Sequence, residues 1–295
     1  MMKCDMCPRN CSAERDKGKF GICGVGEGFK VSRAALHFWE EPCISGDTGS
    51  GTIFFSGCNL NCIFCQNNDI SHEKFGKEIT DDRLFEIMFE LKEKGAANIN
   101  LVTPTHFAER LIPVISRAKK EGLNIPILYN SGGYEKVETL KKLEGLIDIY
   151  MPDFKYWSKA LAKEYSAAAD YPDIAKSAIA EMVRQQPEVV FSSDGMMQKG
   201  VLIRHMMMPG NLSDSEKVMK YLYETYGEDV YFSIMSQYTP TKAVSNHPLL
   251  SRRVTEEEYD ALIDFCCDMG MENAFTQEGE AADESFIPPF TLEGV

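Results

Sequence analysis

Short apolar runs alternate with longer amphipathic stretches along most of this chain. The apolar runs predict six strands, at residues 51–57, 98–102, 125–133, 146–154, 200–210 and 229–240. The amphipathic stretches predict helices at 80–95, 106–122, 173–186, 213–227 and 255–270. Because strands that alternate with helices form parallel sheets with right-handed crossovers, the pattern predicts an α/β fold.

Six strand–helix units fit a partial (βα)6 barrel of the TIM-like type. A doubly wound open sheet is the alternative. Both arrangements gather the loops that follow the strands at one edge of the sheet. We therefore expect the functional site at the C-terminal ends of the strands.

Two flanking regions lack this periodicity. Residues 1–45 are rich in Cys and Gly, and they predict a small N-terminal metal-binding segment. Residues 46–277 carry the barrel pattern. Residues 278–295 are acidic and contain Pro, so we expect an irregular C-terminal tail.

The charge of the chain limits its partners. Its 31 Lys and Arg residues stand against 45 Asp and Glu residues, which gives a net charge of −14. Such a field repels nucleic-acid phosphates and anionic lipids. No apolar run is long enough to cross a bilayer, and the first residues do not form a secretory signal. We expect a cytoplasmic protein with no nucleic-acid partner and no membrane partner.

Cysteine is the unusual residue in the composition. The chain has 10 cysteines, most of them in its first quarter. Thiols stay reduced in the cytoplasm, so clustered cysteines indicate metal ligands or redox groups rather than disulfides.

One cysteine group directly follows the first predicted barrel strand. Cys58, Cys62 and Cys65 have the spacing C-x3-C-x2-C. Three thiolates can bind one corner of an iron–sulfur cubane and leave the fourth iron open to a chelating substrate. The alternative is a zinc site, but zinc prefers four ligands and only His72 follows nearby.

With an aromatic residue, Phe64, before the third cysteine, this motif resembles the signature of the radical S-adenosylmethionine (SAM) superfamily. The blocks 40–67, 98–106, 127–135, 148–157, 200–210 and 233–240 resemble the branch of the pyruvate-formate-lyase-activating enzymes, and most closely its uncharacterised members with an N-terminal cysteine motif. The resemblance covers residues 3–277. It implies a partial (βα)6 barrel whose [4Fe–4S] cluster, on Cys58, Cys62 and Cys65, binds SAM.

The resemblance also implies a reaction. The reduced cluster cleaves SAM to a 5′-deoxyadenosyl radical, which abstracts hydrogen from a substrate. An electron donor such as flavodoxin or ferredoxin is then a partner, and a protein is one class of substrate. Reactive chemistry of this kind needs a site that excludes water, which a barrel interior provides.

The resemblance further implies residues that contact the cofactor. Asp153 and Lys155 match an Asp-x-Lys motif near SAM, and they share one face of a strand. Arg204 lies in an apolar strand, where a lone charge is costly unless it is paired, and it matches a position near the SAM carboxylate or ribose. A surface ion pair is the alternative for Asp153 and Lys155.

Polar residues after two other strands are further candidates. Thr103 and Thr105 stand where activases usually carry Gly-Gly-Glu, so an acidic side chain is missing there. Asn130 and Ser131 end the third strand. Ordinary turn chemistry explains all four residues as well as cofactor contact does. Phe64 either packs on the adenine or fills the core.

The second cysteine group is Cys4, Cys7, Cys11 and Cys23. Four cysteines in a short segment with almost no core of its own predict a closed metal site that stabilises the segment. Zinc and a second [4Fe–4S] cluster are both compatible with the spacing. Cys43 is an alternative ligand, and the adjacent residues Cys266 and Cys267 are expected in the core.

Three functions compete. The first is an activase that installs a glycyl radical in a protein. The second is a radical SAM enzyme that modifies a small molecule, a peptide or another protein. The third is a metal-binding module without catalysis, against which the intact Cys58, Cys62 and Cys65 argue.

Overall fold

The structure is a computed structural model that describes residues 4–277 and 287–295. Its strands are β1 (Phe29–His37), β2 (Ser50–Phe55), β3 (Lys77–Ile79), β4 (Ile99–Val102), β5 (Ile127–Ser131), β6 (Ile149–Pro152), β7 (Val190–Phe191), β8 (Met197–Met206), β9 (Tyr231–Met235) and β10 (Ala274–Thr276). Its helices are α1 (Pro42–Ser45), α2 (Asn68–Ser71), α3 (Asp81–Glu93), α4 (Ala108–Lys120), α5 (Val137–Lys141), α6 (Lys159–Ser166), α7 (Tyr171–Gln185), α8 (Leu212–Tyr226) and α9 (Glu256–Asp268).

One sheet organises the described residues, with the strand order β10-β9-β8-β6-β5-β4-β2-β1-β3 and β7 paired to β8. Between β2 and β10 on this path, each pair of adjacent strands is parallel. Their order follows the sequence in one direction, whereas a doubly wound sheet reverses direction at a switch point. The α/β prediction and the partial barrel are therefore confirmed, and the six predicted strands are β2, β4, β5, β6, β8 and β9.

The helices pack on the sheet through the stripes that the sequence indicates. In α4 the buried residues Leu111, Val114, Ile115 and Ala118 follow the spacing of one helix face. Strand β2 is buried at all of its positions, as expected of a parallel strand covered on both sides. The main core thus lies between the sheet and its helices.

Strand β1 is absent from the sequence prediction. It lies within the range 1–45 assigned to the Cys-rich segment, yet it pairs antiparallel with β2 from Val31 to His37. A bulge between Val31 and Arg33 shifts its register, and a bulge breaks the alternation of apolar and polar residues by which strands are recognised. Backbone hydrogen bonds therefore join residues 29–37 to the barrel sheet.

The last residues lie along β1. Leu292 donates a backbone hydrogen bond to Ser32 (3.0 Å), and Ala34 donates one to Glu293 (2.8 Å). Residues 287–295 contain no helix or strand, whereas the rest of the predicted tail, 278–286, lies outside the described residues.

The prediction that Cys266 and Cys267 both lie in the core is confirmed for Cys266 and wrong for Cys267. Cys266 on α9 is buried, but Cys267 is exposed. Adjacent residues of a helix point about 100° apart, so only one of the two faces the core.

Substitution of Gly133 measures how tightly the residues after β5 are packed, and substitution of Gly95 is its control. Both have a positive φ, of +72° and +87° respectively, but a Cβ on Gly133 would strike the carbonyl oxygen of Asp153, whereas a Cβ on Gly95 meets nothing within 4 Å. We expect Gly95→Ala to lower the free energy of unfolding by about 1–2 kcal/mol through backbone strain alone. Gly133→Ala should lower it by about 1–3 kcal/mol more because the strand ends must separate.

Urea titration followed by circular dichroism measures both variants. Equal losses of stability would show that the contact between Gly133 and Asp153 does not limit the packing there.

Candidate functional site

The three-cysteine loop begins where β2 ends. Gly57 opens it with a φ of +85°, and its backbone N–H donates to the carbonyl of Ile70 (2.7 Å). Cys58, Cys62 and Cys65 follow before α2 starts. The thiols therefore lie at the C-terminal end of a barrel strand, where the sequence predicted the site.

Each sulfur of this loop accepts a hydrogen bond or lies within hydrogen-bonding distance of a donor group. The backbone N–H of Leu60 donates to Cys58 Sγ (3.4 Å). Ser71 Oγ donates to Cys65 Sγ (3.2 Å), and Ser166 Oγ lies 3.0 Å from Cys62 Sγ. Donors to sulfur stabilise thiolates and tune the potential of any cluster that they hold.

Burial acts on the thiols in the opposite direction. It raises the pKa of Cys62 to about 11, while the nearby Lys155 acts to lower it. Burial also raises the pKa of Cys58 and Cys65. The three side chains are therefore neutral thiols at pH 7, and binding of a metal displaces their protons.

The donor set of this loop fits an iron–sulfur cluster. One buried and two half-buried thiols share one loop, each has a polar neighbour at its sulfur, and Lys155 can balance thiolate charge. Among the described residues, no group of three or more His, Cys, Asp or Glu side chains is already arranged to hold a metal ion. A cubane does not need such a single-ion arrangement, because each cysteine binds a different iron of the cluster.

A buried ion network lies beside the loop. Asp153 Oδ2 accepts from Lys155 Nζ (2.6 Å), and Asp153 Oδ1 accepts from Arg204 Nε (3.0 Å). Arg204 also donates to Glu40 Oε2 (3.2 Å) and Asn130 Oδ1 (2.7 Å). The predicted residues Asn130, Asp153, Lys155 and Arg204 therefore meet, and the alternative of a surface ion pair does not hold.

The cations decide the charge of Asp153. Burial alone would raise its pKa, but Lys155 and Arg204 outweigh that effect and hold the pKa below its usual range. Asp153 is therefore ionised at neutral pH, and it can keep both cations oriented.

Thr103 and Ser131 meet this network through the backbone, where the Asp153 N–H donates to the Ser131 carbonyl (2.9 Å). The hydroxyl of Thr105 donates to Glu135 Oε1 (2.5 Å), while Thr103 adopts a positive φ of 57° and its backbone N–H donates to the Asn130 carbonyl (2.8 Å). Ser131 Oγ accepts from the backbone N–H of Gly133 (3.3 Å). These contacts fit the strand-end turns that the sequence left as an alternative, and cofactor contact of Thr103, Thr105 and Ser131 stays a prediction.

Phe64 is buried in the aromatic core. Its ring packs edge-on against Tyr165 and Tyr238, with centroids 6.5 Å and 6.0 Å away. The structure therefore gives it a packing role, and adenine contact stays a prediction.

Two acidic residues of the site were missed. Glu40 reaches Arg204 from the segment after β1, and Glu135 lies behind the Thr105 turn. Burial raises the pKa of Glu135 to about 7, although hydrogen bonds with Thr105 and neighbouring hydroxyls oppose this. No local pattern indicates either position, because only the tertiary fold buries them.

The four N-terminal cysteines also lie close together. Cys4 and Ala13 pair as a β-bridge, and the backbone N–H of Ile22 donates to Cys11 Sγ (3.5 Å). Burial raises the pKa of Cys7 and of Cys23, and the nearby Cys4 and Cys11 add to both increases. Cys43 instead packs in a separate apolar cluster with Ile44 and Leu128.

The N-terminal segment contacts the three-cysteine loop directly. Arg9 Nε donates to the carbonyl of Asn59 (2.7 Å), and its other nitrogens donate to Ser166 (3.1 Å) and Ala167 (2.5 Å). The carbonyl of Cys23 lies so close to Gly57 that a Cβ there would be 2.5 Å from it. The two cysteine motifs are therefore neighbours in space.

Comparison with known proteins decides the family. The sequence profile of the radical SAM superfamily matches residues 52–222, more than half of the chain. The chain belongs to the radical SAM superfamily. Membership implies a [4Fe–4S] cluster and SAM as its cofactors.

Two curated proteins resemble this radical SAM chain. It is 29% identical over 270 residues to the uncharacterized protein MJ0674 of Methanocaldococcus jannaschii, over 88% of this chain and 73% of that protein. It is 26% identical over 122 residues to the pyruvate formate-lyase-activating enzyme of Clostridium pasteurianum, over 38% of this chain and 50% of that enzyme. The predicted resemblance is thereby confirmed.

A solved structure shares the fold. SuiB of Streptococcus suis bound to S-adenosylmethionine matches with a TM-score of 0.52 and 13% identity, over 76% of this chain and 49% of SuiB. Another SuiB structure contains the precursor peptide SuiA. At such low identity the match supports the radical SAM partial barrel alone. In the described part of the chain, no helix is both long and apolar enough to cross a membrane.

Arg204→Met tests the buried network. Removal of the Arg204 guanidinium leaves Asp153 and Glu40 without their shared cation, so we expect the free energy of unfolding to fall by about 3–5 kcal/mol. Arg117→Met is the control. The side chain of Arg117 is 47% exposed and its ion pairs lie at the surface, so its replacement should lower the free energy of unfolding by about 1 kcal/mol or less. Urea unfolding measures both, and a similar loss in the two variants would refute the importance of the network.

Proposed function

We propose that this protein is a radical SAM enzyme whose [4Fe–4S] cluster binds to Cys58, Cys62 and Cys65. When bound, the cluster supplies the electron for reductive cleavage of SAM, which starts hydrogen abstraction from a substrate. The observation that carries the proposal is the position of three thiols at the end of β2, beside a buried network of opposite charges. A flavodoxin or ferredoxin as electron donor and the cytoplasm as location belong to the same proposal.

The residues of the network have complementary tasks in this proposal. Asp153, Lys155 and Arg204 present both signs of charge from buried side chains, and SAM carries an ammonium and a carboxylate. The network is already paired without ligand, so the side chains are oriented before the cofactor arrives. Such preorganisation reduces the entropy lost on binding.

The substrate has two candidates. A glycyl-radical enzyme, activated as by the pyruvate formate-lyase-activating enzyme, is the first, and the partial sequence match to that enzyme supports it. A small molecule or a peptide is the second. The second is favoured by the Thr103–Thr105 turn in place of Gly-Gly-Glu, and by Glu135, which is bonded to Thr105 instead of being presented by the strand end.

The cluster proposal is tested by product formation. Anaerobically reconstituted protein reduced with dithionite should convert SAM to 5′-deoxyadenosine, measured by liquid chromatography. We expect the triple variant Cys58→Ala, Cys62→Ala, Cys65→Ala to form none and to lose the iron of one cubane. Cys267→Ala is the matched control, because it removes an exposed thiol from α9. Continued product formation by the triple variant would refute the proposal.

For the N-terminal motif we propose a closed site of four thiolates that holds zinc, with a second [4Fe–4S] cluster as the alternative. Two observations support it. The backbone N–H groups of Arg9 and Val25 bond to the sulfurs of Cys7 and Cys23, two residues earlier in each case. The segment also exposes Phe20 and Ile22, so its own core is small and a metal would contribute stability.

Metal analysis in the triple variant isolates this second site. With the barrel cluster removed, we expect about one zinc per chain, or the iron of one cubane for the alternative. Further Cys4→Ser and Cys7→Ser substitutions should remove that metal and make residues 4–28 sensitive to proteases. A triple variant that bound neither metal and kept a resistant N-terminus would contradict the proposal.

A further inference from the structure

A cavity of about 230 Å³ opens inside the barrel beside the ion network. Its walls come from the segment after β1 and from the ends of β8, β9 and β10. The lining residues include Phe38, Trp39, Glu40, Glu41, Arg204 and Ser233. Nothing in the sequence pattern or the family comparison assigns this cavity a ligand.

Glu41 is the unusual residue of this cavity. It is only 9% exposed, and within the described part of the chain its Oε2 atom has no hydrogen-bond partner. The hydroxyl of Ser233 bonds to the same carboxyl group. A buried carboxyl oxygen without a partner is costly, and in a cavity it marks a position for a donor from a ligand.

The cations nearby are already engaged. Arg204 is the one cation among the described residues that line the cavity, and its nitrogens bond to Asp153, Glu40 and Asn130. Lys155 is paired with Asp153. The network therefore has three carboxyl groups for two cations. Arg204 forms its salt bridges with Asp153 and Glu40 and attracts Glu41 without bonding to it, so Glu41 is the carboxyl left without a direct cationic partner.

The cavity lies next to the three-cysteine loop without being part of it. Gln66, which follows Cys65, donates through Nε2 to the carbonyl of Gln237 on the cavity wall (3.0 Å). Arg204 and Asp153 separate the cavity from Lys155, the cation that faces Cys62. A ligand in the cavity would therefore contact the far side of the network from the thiols.

We propose that this cavity binds a protonated amine or guanidinium group of the substrate, with Glu41 as its direct partner. An anion is disfavoured by the excess of carboxyl groups. Burial raises the pKa of Glu41, and a bound cation would offset that effect and stabilise the carboxylate, which a neutral group cannot do. A metal ion is disfavoured because Glu40 and Glu41 are the two carboxyl groups among the described residues that line the cavity, and Glu40 is already paired with Arg204. Phe38 and Trp39 at the rim are exposed, and aromatic faces attract organic cations.

This inference rests on the proposed function only in assigning the bound group to the substrate. Binding itself needs neither the cluster nor turnover. The probes are n-butylammonium and the uncharged 1-butanol, which have the same carbon chain. Saturation-transfer NMR on the full-length protein at pH 7 measures the dissociation constant of each.

We expect the amine to bind at least tenfold more tightly than the alcohol. Glu41→Gln should abolish that preference, whereas Glu93→Gln, at the exposed end of α3, should keep it. Equal binding of amine and alcohol by the wild-type protein would overturn the proposal even if Glu41→Gln fails to fold. A folded Glu41→Gln variant that still prefers the amine to the alcohol would also overturn the proposal.

A competition experiment with SAM distinguishes a substrate site from a cofactor site. In reconstituted protein we expect SAM to leave the butylammonium signal in place. Displacement by SAM would give the cavity to the cofactor and would overturn the assignment. Protein that binds the amine yet never forms 5′-deoxyadenosine would refute the proposed function and leave the cation site standing.

Discussion

The structure inside this barrel depends on the hydrogen bonds and ion pairs of Arg204. A single guanidinium bonds to side chains from β5, from the residue after β6 and from the segment after β1. Burial of an unpaired charge costs several kcal/mol. Asp153 also pairs with Lys155, whereas the salt bridge of Glu40 depends on Arg204. Strand register is thereby coupled to charge pairing, because a shift of one residue would turn a partner to the other face.

The same coupling extends to the thiols. Lys155 links Asp153 to the surroundings of Cys62, and Arg9 and Cys23 hold the start of the three-cysteine loop from the other side. The loop is therefore fixed by contacts with the barrel and with the N-terminal segment. This arrangement explains how a segment with little core of its own contributes to the site.

The sequence predicted what depends on local pattern. Strand β2 is a continuous apolar run, α4 carries a regular apolar face, and the spacing of Cys58, Cys62 and Cys65 is a local signature. It missed β1, where a bulge breaks the alternation. It also missed Glu40 and Glu41, since two acidic residues before a proline resemble a surface turn and only the pairing of β1 with β2 carries them into the barrel. Interactions between residues far apart in sequence leave no local pattern.

The central claim is that three thiols leave one iron of the cluster open for SAM. Mössbauer spectroscopy of protein reconstituted with 57Fe measures it most directly, because each iron site contributes its own signal. The account predicts that addition of SAM changes the signal of one iron of the cluster on Cys58, Cys62 and Cys65 and leaves its other three as they were. A spectrum with four equivalent, unchanged sites would contradict it.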